Sequence, residues 1–218
     1  MGPFSGALIG ARHVLTVAHG LKGKNPIGAG VVFTITTPTF PLILFPGFRP
    51  MTVPSIAWTA KAISMFPLTK VGQDCSPFCF DCDCAVDIAV LVLDVRLGDT
   101  LGMFGFGDIS DNYDEFEDDK LSEAGVIGGV LQANLGTCNV VDGENCGWFS
   151  DPDGGFALTH NCDIVKGHSG GPVYLTPSPK NAVIVGVQSS QSWPWDENCA
   201  AGGGLMMSKI NQAIKAFP

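Results

Sequence analysis

The sequence contains few charged residues, and most of those are acidic. Only 15% of the 218 residues are charged, with 12 Lys and Arg against 21 Asp and Glu, so the formal net charge is −9. Since a chain of this sign is repelled by polyanions, neither nucleic acid nor an anionic membrane is expected as a partner. The densest acidic run, 111–119, lacks the spacing of an EF-hand and is interpreted as a solvated loop rather than a calcium site.

Two targeting signals are also missing. No apolar run reaches the length of a transmembrane helix, and the N-terminus lacks the basic, apolar and small-residue order of a signal peptide. Eight cysteines in a chain of this size nevertheless indicate an oxidising compartment. We therefore expect a secreted protein for which Met1 is a fragment start and the export signal has been lost.

The remaining composition indicates a folded, turn-rich protein. Hydrophobic residues make up 45% of the chain, which excludes general disorder. The 28 glycines and 15 prolines favour many turns and few long helices. Short β-rich runs separated by turn residues predict strands. They are Ala7–Gly10, Val14–Ala18, Val31–Thr36, Ile56–Ala62, Ile88–Leu93, Val126–Gln132, Val173–Leu175, Val183–Gln188 and Gly204–Met207.

The order of these runs predicts an all-β protein made of two packed β-barrels and a C-terminal helix. The glycine- and acid-rich segment from about Gly98 to Lys120 is interpreted as a connector between the two β halves. We place the N-terminal barrel at 1–100 and the C-terminal barrel at 101–218. The helix is predicted over Ser208–Phe217, with Ser208 as its N-cap and Ile210, Ile214 and Phe217 on one face.

The stretch KGHSGGPVYL (Lys166–Leu175) contains a serine in a glycine-rich turn. A serine hydroxyl is a weak nucleophile near neutral pH, so Ser169 needs a base and an orienting acid elsewhere. Glycines permit the sharp turn that aims backbone amides at one point. Alone, the turn fits an ordinary loop equally well.

Two residues elsewhere in the chain supply such partners. His19 ends SGALIGARHVLTVAH (Ser5–His19), where a strand end can present its ring at a barrel rim. Asp87 precedes the apolar run of VDIAVLVL (Val86–Leu93), where a carboxylate is costly unless it is hydrogen-bonded. His19, Asp87 and Ser169 therefore form a candidate set for nucleophilic catalysis, in one of the chain orders known for such triads.

These blocks resemble the chymotrypsin-like (trypsin-like) serine endopeptidases, nearest the bacterial and fungal glutamyl-endopeptidase-like branch. The matching blocks are LIGARHVLTVAH (Leu8–His19), DIAVL (Asp87–Leu91), NCDIVKGHSGGPVY (Asn161–Tyr174) and VIVGVQSS (Val183–Ser190). The resemblance spans most of the chain. It implies two six-stranded Greek-key barrels, and family members usually carry a further N-terminal strand. We therefore expect the first barrel to lack a strand and expose an edge.

The resemblance also implies roles for individual residues. Ser169 would attack the scissile carbonyl, His19 would move the proton, and Asp87 would hold the imidazole tautomer. Backbone N–H groups of Gly167 and Ser169 would form the oxyanion hole. Ser189 would pair with substrate through its backbone and support Asp87 through its hydroxyl. Because His19 must be neutral to act, kcat/KM is expected to rise between roughly pH 6 and 8.

The chain departs from the family pattern near the nucleophile. His168 stands where trypsins carry an aspartate that pairs with a newly cut N-terminus, so no such zymogen switch is expected, and His168 is interpreted as lining the inner wall. Asp163 is either a buried carboxylate that favours Lys or Arg in the substrate or a residue that turns away. Gln188 replaces the histidine of glutamyl-specific members, which argues against strict Glu preference. His13 and His160 are interpreted as structural.

Cysteines cluster in DCSPFCFDCDC, but their spacing fits no standard zinc pattern. We expect disulfides there, which would hold the loop that delivers Asp87, with a thiolate metal cluster as the alternative. These cysteines are Cys75, Cys79, Cys82 and Cys84. Two further bonds are expected among Cys138, Cys146, Cys162 and Cys199, with pairing undetermined.

The sequence thus predicts a secreted, monomeric serine endopeptidase that acts on protein or peptide substrates without metal or organic cofactor. The alternatives are a truncated fragment and a protease-like binding protein that has lost catalysis.

Overall fold

The structure is a computed structural model that describes residues 4–21, 27–28, 30–35, 56–68, 84–111, 113, 120–127, 130–142, 156–178, 181–192 and 197–218. Its strands are β1 Ala7–Leu8, β2 His13–Thr16, β3 Gly30–Ile35, β4 Ile56–Pro67, β5 Ala89–Leu93, β6 Gly105–Phe106, β7 Lys120–Ile127, β8 Val130–Asp142, β9 Phe156–His160, β10 Pro172–Ser178, β11 Asn181–Ser192 and β12 Glu197–Gly202. The α-helices are α1 Gly98–Leu101 and α2 Gly203–Ala216. Short 3₁₀ turns cover His19–Leu21 and Cys84–Val86.

The first half of the chain forms an antiparallel sheet of five described strands in the order β1-β2-β5-β4-β3. The central strand β5 reads AVLVL and is buried at every position, as expected for a strand covered on both faces. Its register against β2 pairs Val14 with Leu91. Asp87 lies two residues before β5, so this pairing fixes where its carboxylate enters the fold.

The second half closes into a barrel. Six strands follow one another in the order β10-β7-β8-β9-β12-β11, and β10 pairs again with β11 to close the ring. The two-residue strand β6 adds to β11 in parallel. The predicted all-β architecture with a C-terminal helix is therefore confirmed, with a closed six-stranded barrel in the second half.

The C-terminal helix begins earlier than the sequence predicted. It starts at Gly203 with Gly202 as its N-cap residue, so Ser208 lies inside the helix rather than at its start. Met206, Ile210 and Ala213 form its buried face at helical spacing. The predicted strand Gly204–Met207 is wrong, because a short apolar run cannot distinguish a strand from a buried helix turn.

Two barrel strands had no predicted counterpart. Phe156–His160 and Glu197–Gly202 are β9 and β12, and the single predicted strand Val126–Gln132 spans the end of β7 and the start of β8. The run ENCAAG of β12 has little β-propensity, and its position comes from pairing with both β9 and β11. Tertiary pairing therefore overrides the local signal at these strands.

A shared core joins the two halves. One apolar cluster combines Leu15 and Val90 of the first sheet with Tyr174 and Val187 of the barrel and Ile210 of the helix. Each half also has an apolar cluster of its own. Because buried side chains from both halves pack in one cluster, residues carried by each can be held at fixed positions relative to the other.

Candidate active site

The side chains of His19 and Asp87 are in contact, and His19 follows β2 whereas Asp87 precedes β5. The His19 Nδ1 atom lies 2.6 Å from Asp87 Oδ2, and the backbone N–H of His19 donates to Asp87 Oδ1 over 2.8 Å. The Asp87 side chain is buried, whereas 26% of the His19 side chain is exposed. A carboxylate at Nδ1 favours the tautomer that carries the proton there, which leaves Nε2 with its lone pair.

Ser189 completes the surroundings of the Asp87 carboxylate. Its hydroxyl donates to Asp87 Oδ2 over 2.6 Å, so the two carboxylate oxygens accept three hydrogen bonds. These contacts offset the cost of burying the carboxylate next to strand β5. The predicted contact between Ser189 and Asp87 is therefore present, across 102 residues of sequence.

Ser169 lies in the second of two consecutive turns, 165–168 and 168–171, which share His168 and together form the nucleophile turn. The His168 N–H donates to the Val165 carbonyl over 3.0 Å, and the Gly171 N–H donates to the His168 carbonyl over 2.7 Å. The third position of each turn is a glycine with positive φ, Gly167 at 115° and Gly170 at 88°. Turns of this kind need a residue without Cβ at that position. The glycines of KGHSGGP thus create the backbone shape around Ser169, which is partly exposed.

The barrel holds this turn through Gln188, the residue before Ser189. The Gly170 N–H donates to the Gln188 carbonyl over 2.8 Å, and the Gln188 N–H donates to the Gly171 carbonyl over 2.9 Å. Gly170, which follows Ser169, is thus paired with Gln188, and the next residue of β11, Ser189, is bonded to Asp87. Two adjacent residues of β11 therefore link the nucleophile turn to the Asp87 carboxylate.

Ser5, which sequence reasoning missed, also bonds the nucleophile turn. Its N–H donates to the Ser169 carbonyl over 2.7 Å, and its hydroxyl donates to the Gly167 carbonyl over 2.8 Å. Thr16 in turn donates its hydroxyl to the Ser5 carbonyl. A Cβ on Gly170 would overlap that carbonyl. The segment before β1 thus contacts the nucleophile turn directly.

The two remaining predicted site residues differ in exposure. A preference for Lys or Arg in the substrate requires a buried carboxylate, but Asp163 is exposed. This preference therefore stays a prediction. Gln188 is buried; its side-chain carbonyl lies 2.7 Å from His160 Nε2 and its amide donates to the Ser190 carbonyl. The Gln188 side chain is therefore bonded toward the barrel interior.

Two of the buried histidines, His160 and His168, are hydrogen-bonded to barrel residues. Burial lowers the pKa of His160 to about 4, so the ring is neutral and bonds Gln188 through Nε2 and the Cys162 N–H through Nδ1. His168 is buried as well, and its Nδ1 lies 2.8 Å from Glu123 Oε2. Glu123 could have been found from sequence, because it is an acidic residue inside the β-run KLSEAGVI, as Asp87 is at the head of its own.

One disulfide supports the barrel behind the nucleophile turn. Cys138 on β8 is bonded to Cys162, seven residues before Ser169. Cys199 is also disulfide-bonded. Cys75, Cys79, Cys82 and Cys146 lie outside the described residues. Within the described ranges, His, Cys, Asp and Glu form no group of three that could hold a metal ion, and no helix is long and apolar enough to span a membrane.

Comparison with solved structures identifies the fold. The chain matches a Glu endopeptidase with a TM-score of 0.58 and 15% identity, over 95% of this chain and 83% of the other. It matches the HtrA-type protease AlgW with a TM-score of 0.61 and 13% identity, over 97% and 51%. The protease Anisep from Arthrobacter nicotinovorans gives 0.58 and 17%, over 96% and 88%. At these identities the likeness shows a shared chymotrypsin-like fold.

Sequence comparison reaches less far. Two uncharacterized proteins of Mycobacterium tuberculosis, from different strains, are 43% identical to this chain over 54 residues. The match covers 25% of this chain and 21% of each relative, so it spans about a fifth of their length. No protein-family model matches the chain.

Proposed function

We propose that the protein is a secreted serine endopeptidase that uses His19, Asp87 and Ser169. The observation that carries this proposal is the buried Asp87 carboxylate, which accepts hydrogen bonds from both the partly exposed His19 and the Ser189 hydroxyl. A purely structural histidine needs neither a buried carboxylate bonded to its Nδ1 nor a partly exposed side chain. The shared fold with proteases adds support.

The chemistry follows from which atom each group can offer. Ser169 Oγ attacks the carbonyl carbon of the scissile bond while its proton passes to His19 Nε2. The C–N bond then breaks as His19 returns the proton to the leaving amine, and water repeats the sequence to release the acyl group from Ser169. Asp87 stabilises the imidazolium that forms in each half-reaction.

The negative charge that develops on the carbonyl oxygen needs donors. Backbone N–H groups of Gly167 and Ser169 are the proposed oxyanion hole, each worth about 3 kcal/mol of transition-state stabilisation. The positive φ of Gly167 supports this role, because it sets the direction of the Gly167 N–H relative to the residues that follow, in a conformation that a residue with a Cβ rarely adopts.

Substrate contacts are proposed for Ser189, Gln188 and Asp163. The backbone of Ser189 would pair with an extended substrate strand, as implied by the resemblance. The Gln188 side chain is bonded to His160 and the Ser190 carbonyl. We propose that it shapes the pocket wall rather than carrying a charge to the substrate. The disulfides support a secreted protein, and a monomer stays a prediction.

Cleavage of a diverse peptide library by the disulfide-intact protein tests this function. The wild type is expected to cut peptides, and Ser169→Ala to cut none. The residues preceding the cuts then reveal whether Asp163 selects basic side chains, by comparison with Asp163→Asn. A folded wild-type protein that binds peptides without cutting any would instead be a protease-like binding protein.

A further inference from the structure

His168 is shared by the two turns 165–168 and 168–171, the second of which contains Ser169. Its N–H closes the turn containing Gly167 by bonding the Val165 carbonyl, and its carbonyl closes the turn containing Gly170 by accepting from Gly171. The backbone orientation of His168 therefore affects the positions of both proposed oxyanion donors, the N–H groups of Gly167 and Ser169. Whatever fixes His168 also fixes the nucleophile turn.

The side chain of His168 is tied to the barrel by Glu123 on β7. The two side chains meet through Nδ1 and Oε2 at 2.8 Å, and only 3% of the histidine side chain and none of the glutamate side chain is exposed. Glu123 is itself fixed in the barrel by register, opposite Val173 on β10 and Asn134 on β8. The carboxylate is thus a rigid point of attachment.

Strand β7 is shaped to receive this ring. A Cβ added to Gly125 would lie 2.6 Å from ring atoms of His168, so only glycine leaves room for the imidazole there. A Cβ on Gly171 would overlap the carbonyl of Ala124. Three consecutive residues of β7 therefore contact the nucleophile turn, and Glu123 supplies their directional polar bond.

We propose that Glu123 and His168 are positioning residues for the proposed catalytic site. The Glu123–His168 bond sets the backbone orientation of His168, which holds the turn carrying Gly167 and Ser169 in its reactive shape. This proposal rests on the proposed function for its kinetic consequences. Neither side chain is exposed enough to touch a substrate, so the pair acts only through the backbone it holds.

Burial of a polar pair at this place is better explained by positioning than by stability. Burial lowers the pKa of His168, which favours the neutral imidazole. Replacing both partners of a buried hydrogen bond by apolar groups can be nearly neutral or stabilising. A hydrogen bond, however, fixes direction as well as distance, which an apolar contact does not. A reacting atom displaced by about 1 Å costs on the order of a hundredfold in rate.

Four variants test the proposal: His168→Leu, Glu123→Leu, the double variant with both changes, and His168→Asn. Each single leucine removes one side of the bond, and the double variant removes both sides. Asparagine retains a side-chain N–H near the position of Nδ1. The matched control is Ser122→Ala, which removes a buried hydroxyl on the same strand whose bond goes to the Gly136 N–H instead of the nucleophile turn.

Three measurements are made on each protein: kcat and KM on a cleaved peptide, thermal stability, and hydrogen exchange of the Gly171 amide. We expect each single leucine variant to lose about a hundredfold in kcat with KM little changed, and Gly171 exchange to accelerate. The double variant should regain stability but not kcat. His168→Asn should recover part of kcat, and Ser122→Ala should lose stability alone.

Opposite results overturn the proposal. If kcat returns together with stability in the double variant, or if Ser122→Ala loses as much kcat as the leucine variants, the pair is merely structural. If a single leucine variant does not fold, the double variant and His168→Asn decide. If the wild type has no peptidase activity, the proposed function is wrong. If Gly171 exchange is nevertheless faster in the leucine variants, the positioning role is supported.

Discussion

Two histidine–carboxylate pairs lie in the described part of this molecule, and they differ mainly in what surrounds the imidazole. His19 and Asp87 meet at 2.6 Å and His168 and Glu123 at 2.8 Å, each through Nδ1. Both carboxylates are buried, but 26% of the His19 side chain is exposed against 3% for His168. The same bond can therefore serve a reacting base in one place and a fixed support in the other.

The difference arises from the elements that carry each histidine. His19 follows β2 at the start of a short 3₁₀ turn, outside the sheet. His168 lies between two turns that are pressed against β7. Proton transfer to a substrate needs an accessible nitrogen, so exposure decides which pair can take part in chemistry.

The largest contrast is expected when each carboxylate becomes an amide. Asp87 accepts from the His19 N–H, from His19 Nδ1 and from Ser189, so the NH₂ group of Asp87→Asn must face a donor. We expect kcat to fall about 10⁴-fold, since the imidazolium also loses its countercharge. Glu123→Gln keeps an acceptor for a histidine that stays unchanged in the reaction, so its kcat should fall far less. Equal losses in peptide hydrolysis would remove the distinction between the pairs.

A third histidine, His160, sharpens the contrast because its partner is a neutral amide. The pKa of His160 is lowered to about 4 by burial, against about 6.5 in an unfolded chain. As pH falls, His160 therefore becomes protonated in the unfolded chain at a higher pH than in the folded protein. The stability contributed by neutral His160 is complete above pH 6.5 and declines toward pH 4, by up to about 3 kcal/mol.

Urea unfolding of the wild type and His160→Gln at several pH values between 4 and 7 measures this contribution. The stability of the wild type should fall more steeply with decreasing pH than that of the variant, and Ser122→Ala should follow the wild-type slope. Parallel curves for the wild type and His160→Gln would show that His160 does not titrate in this way.

The smallest predicted effect concerns the second support of the nucleophile turn. Ser5→Ala removes the bond from its hydroxyl to the Gly167 carbonyl but keeps the backbone bond to Ser169. We expect a loss of about 1 kcal/mol in stability and a drop in kcat smaller than that of His168→Leu, with KM unchanged. Ser110→Ala, which removes an exposed hydroxyl bonded to Asp108, is the control. A larger drop in kcat than that of His168→Leu would make Ser5 the main support.

Strong local patterns made much of the fold predictable from sequence. The apolar run after Asp87 became the buried strand β5, and the amphipathic C-terminal segment became α2. The first turn of α2 was mistaken for a strand, because Gly203 and Gly204 are poor helix formers. Strands β9 and β12 exist through their neighbours on both sides, which a local pattern does not reveal.

The candidate site also contains residues that a sequence motif predicted and residues that only the packing revealed. His19, Asp87 and Ser189 were identified from motif resemblance, and the structure brings them into contact. Ser5 was missed because its partners Gly167 and Ser169 lie more than 160 residues away and a serine before a strand carries no signal. The acidic residue Glu123 carried such a signal, but its partner His168 became apparent only through the packing of β7 against the turn.

Labelling with an organophosphonate, read by intact mass and peptide mapping, tests the central claim most directly. A folded wild-type protein with its disulfides formed should gain one adduct, on Ser169, and Asp87→Asn should gain it far more slowly. Ser169→Ala should gain none. An unlabelled wild type, or an adduct on another residue, would contradict the assignment of Ser169 as a nucleophile activated by His19 and Asp87.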